Sequence, residues 1–213
     1  DALNELLAAN GIREDDIARP DRVTLVEMVL DEFCSMKGLK YFQNLKSVCM
    51  IQQAVLKIEG LGSCVHLEKL LLNENLIERV EGLYGCKKLR HLNLSTNAIS
   101  EIGYGLEGLV GLEILWIAEN RLTSLAGIEY ATNLVELNAA RNTLTTVQGA
   151  LDRNQNLQTL NLADNVICSF RDVLDLSKLP ALTELDFSDP DWGENPIGTL
   201  CNYQTYVLYH LPL

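Results

Sequence analysis

Aromatic residues are scarce in this chain, at 6% of its 213 residues, although hydrophobic residues of all kinds make up 47%. This balance excludes a disordered tail and favours a folded core of aliphatic side chains. Long hydrophobic runs are also missing, since no stretch approaches the roughly 18 apolar residues that a membrane-spanning helix needs. The N-terminus has no basic segment followed by an apolar one, so no secretion signal is visible. We therefore expect a cytoplasmic chain outside the membrane. Because the chain begins with Asp1 rather than Met, removal of an N-terminal leader is an alternative.

Positive charge is scarce as well, because 17 Lys and Arg face 29 Asp and Glu, which gives a formal net charge of −12. The densest basic stretch contains Lys87, Lys88, Arg90 and His91, and a solvated edge of the surface explains it without a ligand. A chain of this charge repels phosphate groups wherever no basic patch reverses its field. Nucleic acid is therefore not an expected partner.

The most regular feature of the chain is a leucine that returns about every 22 residues and begins the pattern LxxLxLxxNxI. One turn of this length cannot bury its own apolar stripe, whereas neighbouring turns stacked at roughly 4.8 Å share one continuous core. The period therefore predicts a leucine-rich repeat solenoid of the α/β class, with a curved parallel sheet on its concave face and 3-10 or short helices on its convex face. The leucines that begin the turns are Leu45, Leu67, Leu89, Leu112, Leu134, Leu157 and Leu182.

Two other residue types recur with the leucines. An Asn follows each short strand, where its amide can both donate to and accept from backbone groups at the turn, so we predict a structural role. Glycines recur on the returning side, where the backbone must curve. The asparagines are Asn75, Asn97, Asn120, Asn142 and Asn165, and the glycines are Gly60, Gly82, Gly105, Gly127 and Gly149.

The period divides the chain into three regions. Residues 1–44 are predicted to form a helical N-terminal cap and a half repeat, residues 45–197 about seven repeats, and residues 198–213 a C-terminal cap. Within the first region, apolar residues between Val23 and Phe33 follow helical spacing, and Asp21 is placed to cap that helix.

Departures from the pattern concentrate toward the ends of the chain, as is expected of terminal repeats. The first full repeat carries Gln53, and the last carries Pro190, where Asn is expected. The sixth repeat is lengthened to 25 residues, which predicts a short helix around Asp172 and Val173 on the convex side. The tail is predicted to be helical because its apolar residues share one face. These residues are Tyr203, Tyr206, Val207 and Leu211.

Six cysteines are spread one to a segment, without the paired clusters of a disulfide framework. Cys64 and Cys86 hold the same phase in adjacent repeats, where a small apolar side chain fits the core. We expect reduced and mostly buried thiols. The alternative is a Cys64–Cys86 disulfide, because a stacked pair at strand spacing could in principle oxidise. The other four are Cys34, Cys49, Cys168 and Cys201.

Three features invite a chemical interpretation and none supports catalysis. Gly103, Gly105 and Gly108 match the letters of a dinucleotide fingerprint, but they fall on the return side of a repeat rather than between a strand and a helix. The histidines have no Ser or Cys partner in a nucleophile motif. The third feature is an acidic loop whose spacing does not match a calcium-binding loop. We therefore predict no enzyme, no cofactor and no metal. The histidines are His66, His91 and His210, and the acidic residues are Asp186, Asp189, Asp191 and Glu194.

The concave sheet is the surface most suited to a partner. Within each strand the core leucines point inward, so the intervening positions are displayed. Large apolar residues displayed there favour a protein or peptide partner, and the acidic rim favours a basic segment in it. An alternative is that Trp116 folds down over a neighbouring strand. The predicted binding residues are Ile51, Leu71, Glu74, His91, Asn93, Ile114, Trp116, Glu119, Glu136 and Asn138.

A resemblance to a known family adds to this interpretation. The returns Ile58-Glu59-Gly60-Leu61 and Val80-Glu81-Gly82-Leu83, with the tail ENPIGTLCNYQTYVLYHLP, resemble the intracellular class of leucine-rich repeat proteins with 22-residue repeats and a C-terminal cap. Members of that class include a nuclear regulator of protein phosphatase 1 and an axonemal dynein light chain. The resemblance implies a non-enzymatic scaffold in a ciliary or cytoskeletal assembly, with a phosphatase regulatory subunit as the alternative. Separately, we expect the chain to be a monomer. The members that this tail most resembles are much longer than this chain, so we expect one repeat domain of a larger protein.

Overall fold

Eight short parallel strands form one curved sheet in chain order. The computed structural model of the protein describes residues 7, 8, 10–12, 22–29, 35–190 and 192–211. Each strand pairs with the next in parallel, so the sheet grows by one strand with each repeat. The strands are β1 Leu25–Val29, β2 Ser47–Ile51, β3 Lys69–Leu71, β4 His91–Asn93, β5 Ile114–Trp116, β6 Glu136–Asn138, β7 Thr159–Asn161 and β8 Glu184–Asp186.

The remaining elements connect the strands or close the C-terminal end. Three 3-10 helices, two α-helices and one antiparallel hairpin complete the part of the chain that the structure describes. This architecture confirms the solenoid that the repeat period predicted. The 3-10 helices are Lys37–Tyr41, Ile128–Tyr130 and Pro196–Thr199; the α-helices are α1 Phe170–Leu176 and α2 Tyr203–His210; the hairpin strands are β9 Ser188–Asp189 and β10 Gly193–Glu194.

The core lies directly behind the sheet, because parallel pairing aligns the same repeat position of successive strands. The middle residue of each three-residue strand from β3 to β7 is a fully buried leucine. Each leucine therefore packs against its equivalents in the repeats before and after it, as stacking requires. These leucines are Leu70, Leu92, Leu115, Leu137 and Leu160.

The repeated asparagines connect each turn to the turn before it. The Asn120 amide donates to the carbonyl of Leu94 in the preceding repeat at 3.0 Å and to that of Ile117 in its own repeat at 3.1 Å, while its Oδ1 accepts from Ile99 N at 2.9 Å. The other four asparagines of the series make equivalent bonds. The predicted structural role is confirmed, because each amide satisfies backbone groups of two repeats, and all but the half-buried Asn97 are buried.

The seventh repeat has the same asparagine, although not where the sequence pattern placed it. Asn195 Nδ2 donates to Leu162 O at 2.6 Å and to Phe187 O at 2.9 Å, and its Oδ1 accepts from Ile167 N at 3.0 Å. The interpretation of Pro190 as the residue at this position was therefore wrong. Eight positions separate Phe187 from Asn195, whereas three separate Leu162 from Asn165 in the repeat before. Five extra residues explain the displacement.

The N-terminal prediction needs a correction. Leu25–Val29 is a strand that pairs in parallel with β2, whereas the sequence predicted a helix there. Val26 and Met28 are buried while Leu25 and Glu27 are exposed, and this alternation with period two is that of a half-buried strand. Pairing with β2 outweighs the mixed spacing of the apolar residues. Asp21 and the end of the predicted helix lie outside the described residues.

The two predicted C-terminal helices are present. Ser169 Oγ caps α1 by accepting from Arg171 N, and the buried Asp172 accepts from Val147 N at 2.7 Å. Helix α2 packs three residues against the end of the core, and Leu211 is buried after it. These packed residues are Tyr203, Tyr206 and Val207. The boundaries of the three predicted regions stay predictions. Among the described residues, no helix combines the length and the apolar character that crossing a membrane requires.

Candidate protein-binding face

Two rows of side chains project from the concave side of the sheet. Residues on either side of each buried strand leucine face away from the core, because successive residues of a strand point to opposite faces. The pairing register aligns them across seven strands. The first row is Ser47, Lys69, His91, Ile114, Glu136, Thr159 and Glu184, and the second is Cys49, Leu71, Asn93, Trp116, Asn138, Asn161 and Asp186.

Trp116 lies across three strands at the centre of this face. Its indole meets the His91 ring of β4 edge to face, with 5.1 Å between centroids, and its Nε1 donates to Glu136 Oε1 of β6 at 2.6 Å. The side chain is half-buried as a result. Both sequence alternatives thus describe part of the geometry, because the indole contacts side chains of both neighbouring strands and stays partly exposed.

Apolar side chains extend from Trp116 toward the N-terminal end of the sheet. Ile114, Leu71 and Ile51 are each half-buried, on β5, β3 and β2 respectively. With His91 and Trp116 they form a shallow surface that we call the Trp116 patch. Half-buried apolar residues on a displayed face are typical of a contact surface.

Carboxylates border the Trp116 patch, but they differ in how freely they can meet a ligand. Glu74 is exposed. Glu119 accepts from Arg141 Nη1 at 3.3 Å, and Glu136 is engaged by the Trp116 indole. Glu74 and Glu119 occupy the left-handed backbone region, with φ of 58° and 54°, at the turn that ends each strand. The predicted acidic rim is therefore built partly from carboxylates that already have partners.

The two predicted binding asparagines serve the backbone of their own strands. Asn93 Oδ1 accepts from Ser95 N at 2.9 Å, and Asn138 Oδ1 accepts from Ala140 N at 3.1 Å. Asn93 is also buried, at 9% exposure, whereas Asn138 is half-buried. Asn138 thus offers its amide nitrogen to solvent more readily than Asn93, and a binding role for either stays a prediction.

His91 is held in its neutral form by its surroundings. Burial lowers the pKa of its imidazole, the charge of Lys69 lowers it further, and the carboxylate of Glu136 opposes both effects. Its Nε2 is buried with no hydrogen-bond partner among the described residues. The lowered pKa favours the neutral form of the ring, while Lys69 of β3 places a positive charge beside the Trp116 patch.

Sequence reasoning missed the hairpin whose Trp192 covers part of the concave side. Trp192, between β9 and β10, packs against buried alanines of the β5, β6 and β7 repeats, where the sequence suggested only a solvated acidic loop. The signal that could have found it is the delayed Asn195. Among the described residues, no group of His, Cys, Asp and Glu is placed to hold a metal ion. Burial, with the charges of Asp189 and Glu184, raises the pKa of Asp186 in this region.

The described cysteines differ in exposure, which corrects the expectation that most are buried. Cys64 and Cys86 are buried in the core, whereas Cys49 is half-buried on the concave face. Cys168 and Cys201 are exposed, because neither occupies the repeat phase that the two buried thiols share. Cys34 lies outside the described residues.

The glycines of the apparent dinucleotide fingerprint serve a packing role. A Cβ on Gly105 would lie 2.1 Å from the carbonyl oxygen of Val80, so the returning backbone can pass only with glycine there. Gly103 and Gly108 lie in turns, with φ of 54° and 80°. The three line a solvent-open groove of about 680 Å³ on the returning side, beside the exposed Tyr84 and Tyr104.

Comparison with known proteins agrees with this architecture. A family model described as leucine rich repeats (2 copies) matches residues 65–108. An internalin C2 structure from Listeria monocytogenes is similar with a TM-score of 0.74 and 22% identity, over 94% of this chain and 88% of that one. An internalin (InlF) from the same organism is similar with a TM-score of 0.69 and 20% identity. The match covers 83% of this chain and 49% of the InlF chain, so this chain spans about half the length of InlF. The functional domain of InlJ from that species is similar with a TM-score of 0.60 and 17% identity. The match covers 86% of this chain and 35% of that one. The repeat match over residues 65–108 and the shared architecture show that this chain has a leucine-rich repeat solenoid fold.

Proposed function

We propose that this protein is a non-enzymatic scaffold that binds a protein or peptide on its concave face. The observation that carries the proposal is the Trp116 patch, an aromatic and aliphatic surface that the sheet displays rather than buries. Leucine-rich repeat proteins generally act as protein–protein interaction scaffolds, and their curvature creates extended concave binding surfaces. An aromatic side chain at the centre of such a surface is a typical hot spot.

The proposed partner carries a basic segment. Glu74, Glu119 and Glu136 border the Trp116 patch, and the chain as a whole has a net charge of −12. Such a field attracts a basic segment over a distance and accelerates the encounter, while the apolar centre supplies affinity that salt does not screen. Nucleic acid is disfavoured on the same grounds.

The proposed setting is cytoplasmic, in a ciliary or cytoskeletal assembly, with the chain as a monomer. Its support is the resemblance of the tail LCNYQTYVLYHLP to that of leucine-rich repeat-containing protein nine, rather than any feature of the concave face. The phosphatase-regulator alternative rests on the repeat class alone.

A random peptide library displayed on phage can test the binding face before the natural partner is identified. Selection on the wild-type protein should enrich basic peptides, and Trp116→Ala should weaken their binding by about 2 kcal/mol or more, as measured by calorimetry. Tyr104→Ala is the matched control, because Tyr104 is an aromatic residue that is 77% exposed away from the concave face. We expect this control to bind normally.

Two results would contradict the proposal. Enriched peptides without basic residues would remove the charge argument, and peptides that bind Trp116→Ala as tightly as wild type would place the site elsewhere. A pull-down from ciliated cells with the same three proteins then tests the proposed setting, because the natural partner should be lost from the Trp116→Ala bait alone.

A further inference from the structure

The seventh repeat contains an insertion that points to the concave face. Its five extra residues lie between Phe187 and Asn195, which are both buried and occupy the positions of Leu162 and Asn165 in the previous repeat. The chain leaves the core after Phe187 and returns to it at Asn195, whose backbone N donates to Phe187 O at 3.0 Å. The segment between them forms the β9–β10 hairpin. Its base is therefore fixed, while its tip is free of the repeat pattern.

The tip of the hairpin is turned over the sheet. Trp192 packs against Ala118, Ala140 and Ala163, which are fully buried and follow β5, β6 and β7 at the same repeat position. We call these three residues the alanine trough. A larger side chain at any of them would stand where the indole lies, so small residues here and a large one at Trp192 fit each other.

Arg141 holds the indole in place from the side. Its Cζ lies 5.3 Å from the Trp192 ring centroid, and its Nε donates to the Trp192 carbonyl at 3.1 Å. Glu119 and Asp164 position the guanidinium, at 3.3 Å and 3.6 Å. Gly193 has φ of +115°, and a Cβ there would lie 3.0 Å from Asp164 Cγ, so the hairpin approaches the sheet closely.

The contacts that hold the tip of the hairpin are more exposed than those that hold its base. Trp192 stays half-exposed, Arg141 is exposed, and ion pairs at such positions contribute little to stability. The core contacts of Phe187 and Asn195 are made with Leu162, Ile167 and Tyr203 rather than with Trp192. The tip can therefore lift by local opening without unfolding a repeat.

We propose that the β9–β10 hairpin is an internal competitor for the concave face. It fills the alanine trough with Trp192 in the isolated chain, and an aromatic side chain of a partner, with a backbone carbonyl beside it for Arg141, displaces it. Because Ala118 follows Trp116 by two residues on the same repeat, a segment bound to the Trp116 patch reaches the trough directly. This inference rests on the proposed use of the concave face, and it adds a second contact point there.

The probe for this proposal is N-acetyl-L-tryptophanamide, which supplies an indole and flanking carbonyl groups. The chain has two tryptophans, so the nitrogen-15 spectrum contains two indole N–H signals, which Trp116→Ala and Trp192→Ala assign. In the wild-type protein, titration with the probe should move the Trp192 signal and leave the Trp116 signal in place. Trp192→Ala, which lacks the competitor, should bind the probe at least tenfold more tightly than wild type, and adding Ala140→Leu should reverse that gain.

Each contrary result overturns the proposal. If the probe does not move the Trp192 signal, the hairpin is not displaced and does not compete for the concave face. Equal binding by wild type and Trp192→Ala, or binding that Ala140→Leu leaves intact, means that the trough does not accept aromatic groups. Circular dichroism checks that each variant is folded, and the wild-type titration decides the question even where a variant is not. Trp116→Ala should bind the probe like wild type, so a failure here is distinct from a failure of the peptide selection.

Discussion

At the scale of single residues, the environment of each cysteine decides what its thiol can do. Burial raises the pKa of Cys64 to about 11, and burial with the nearby Cys64 raises the pKa of Cys86 to about 12. Both thiols donate to core carbonyls, Cys64 to Phe42 O at 3.5 Å and Cys86 to Leu61 O at 3.8 Å. Since the thiolate is the reactive form, the raised pKa protects these two side chains by keeping them protonated, and burial also limits access to them.

Alkylation of the native protein should therefore separate the cysteines into two groups. We expect iodoacetamide to modify the exposed Cys168 and Cys201 first, and to reach Cys64 and Cys86 only after unfolding in urea, as peptide mass spectrometry can show. The unfolded thiols ionise near pH 9 and the folded ones do not, so the free energy of unfolding should also fall as the pH rises above about 9. Peptides that link Cys64 to Cys86 by a disulfide would contradict this prediction.

A second residue-scale prediction concerns His91. Its folded-state pKa should lie below the ordinary 6.5, as a proton NMR titration of the ring can measure. Glu136→Gln should lower this pKa further and Lys69→Gln should raise it, because the two charges act in opposite directions. The unfolded chain binds the proton more readily, so the stability that His91 contributes is present above pH 6.5 and is lost as the pH falls through the folded pKa. A wild-type pKa above 6.5 would contradict the assigned environment.

At the scale of elements, the repeat period predicted the strands and turns that recur in each repeat, but it did not predict the inserted β9–β10 hairpin. Leu92 and Asn120 could be placed from sequence because their equivalents in other repeats impose the same position. The β9–β10 hairpin occurs once, and Trp192 contacts the alanine trough across 29 to 74 positions of sequence, which no local pattern contains. Strand β1 was mistaken for a helix because pairing with β2, rather than its own spacing, decides its conformation. The bond between Trp116 and Glu136 likewise depends on how a side chain turns across two strands.

Helix α2 gives an element-scale prediction with a matched control on the same helix. Tyr206 packs on Phe170 with 4.4 Å between ring centroids, whereas Tyr209 is 79% exposed. Tyr206→Ser should lower the free energy of unfolding by about 2 kcal/mol, because it removes an aromatic contact that closes the core. Tyr209→Ser should change it by less than about 0.5 kcal/mol. Urea unfolding followed by circular dichroism measures both, and equal effects would mean that α2 does not seal this end.

At the scale of the whole molecule, charge is the property that no single repeat determines. The net charge is −12, and the ion pairs found among the described residues join Arg90 to Glu113, Arg141 to Glu119 and Asp164, and Lys178 to Asp175. All have a partner well exposed to solvent, so each contributes little. Repulsion between unpaired carboxylates is then the larger electrostatic effect on the fold, and it opposes the compact state.

Salt should therefore act on folding and on binding with opposite signs. Raising sodium chloride from about 20 mM to about 0.5 M shortens the screening length from roughly 20 Å to roughly 4 Å, which relieves the repulsion and should raise the melting temperature. The same screening removes the attraction between the acidic rim and a basic peptide, so the association rate measured by stopped flow should fall, while the apolar contact with Trp116 keeps the dissociation rate nearly constant. A melting temperature that falls with salt would mean that ion pairs stabilise the solenoid. An association rate indifferent to salt would mean that the carboxylates around the Trp116 patch do not steer the partner.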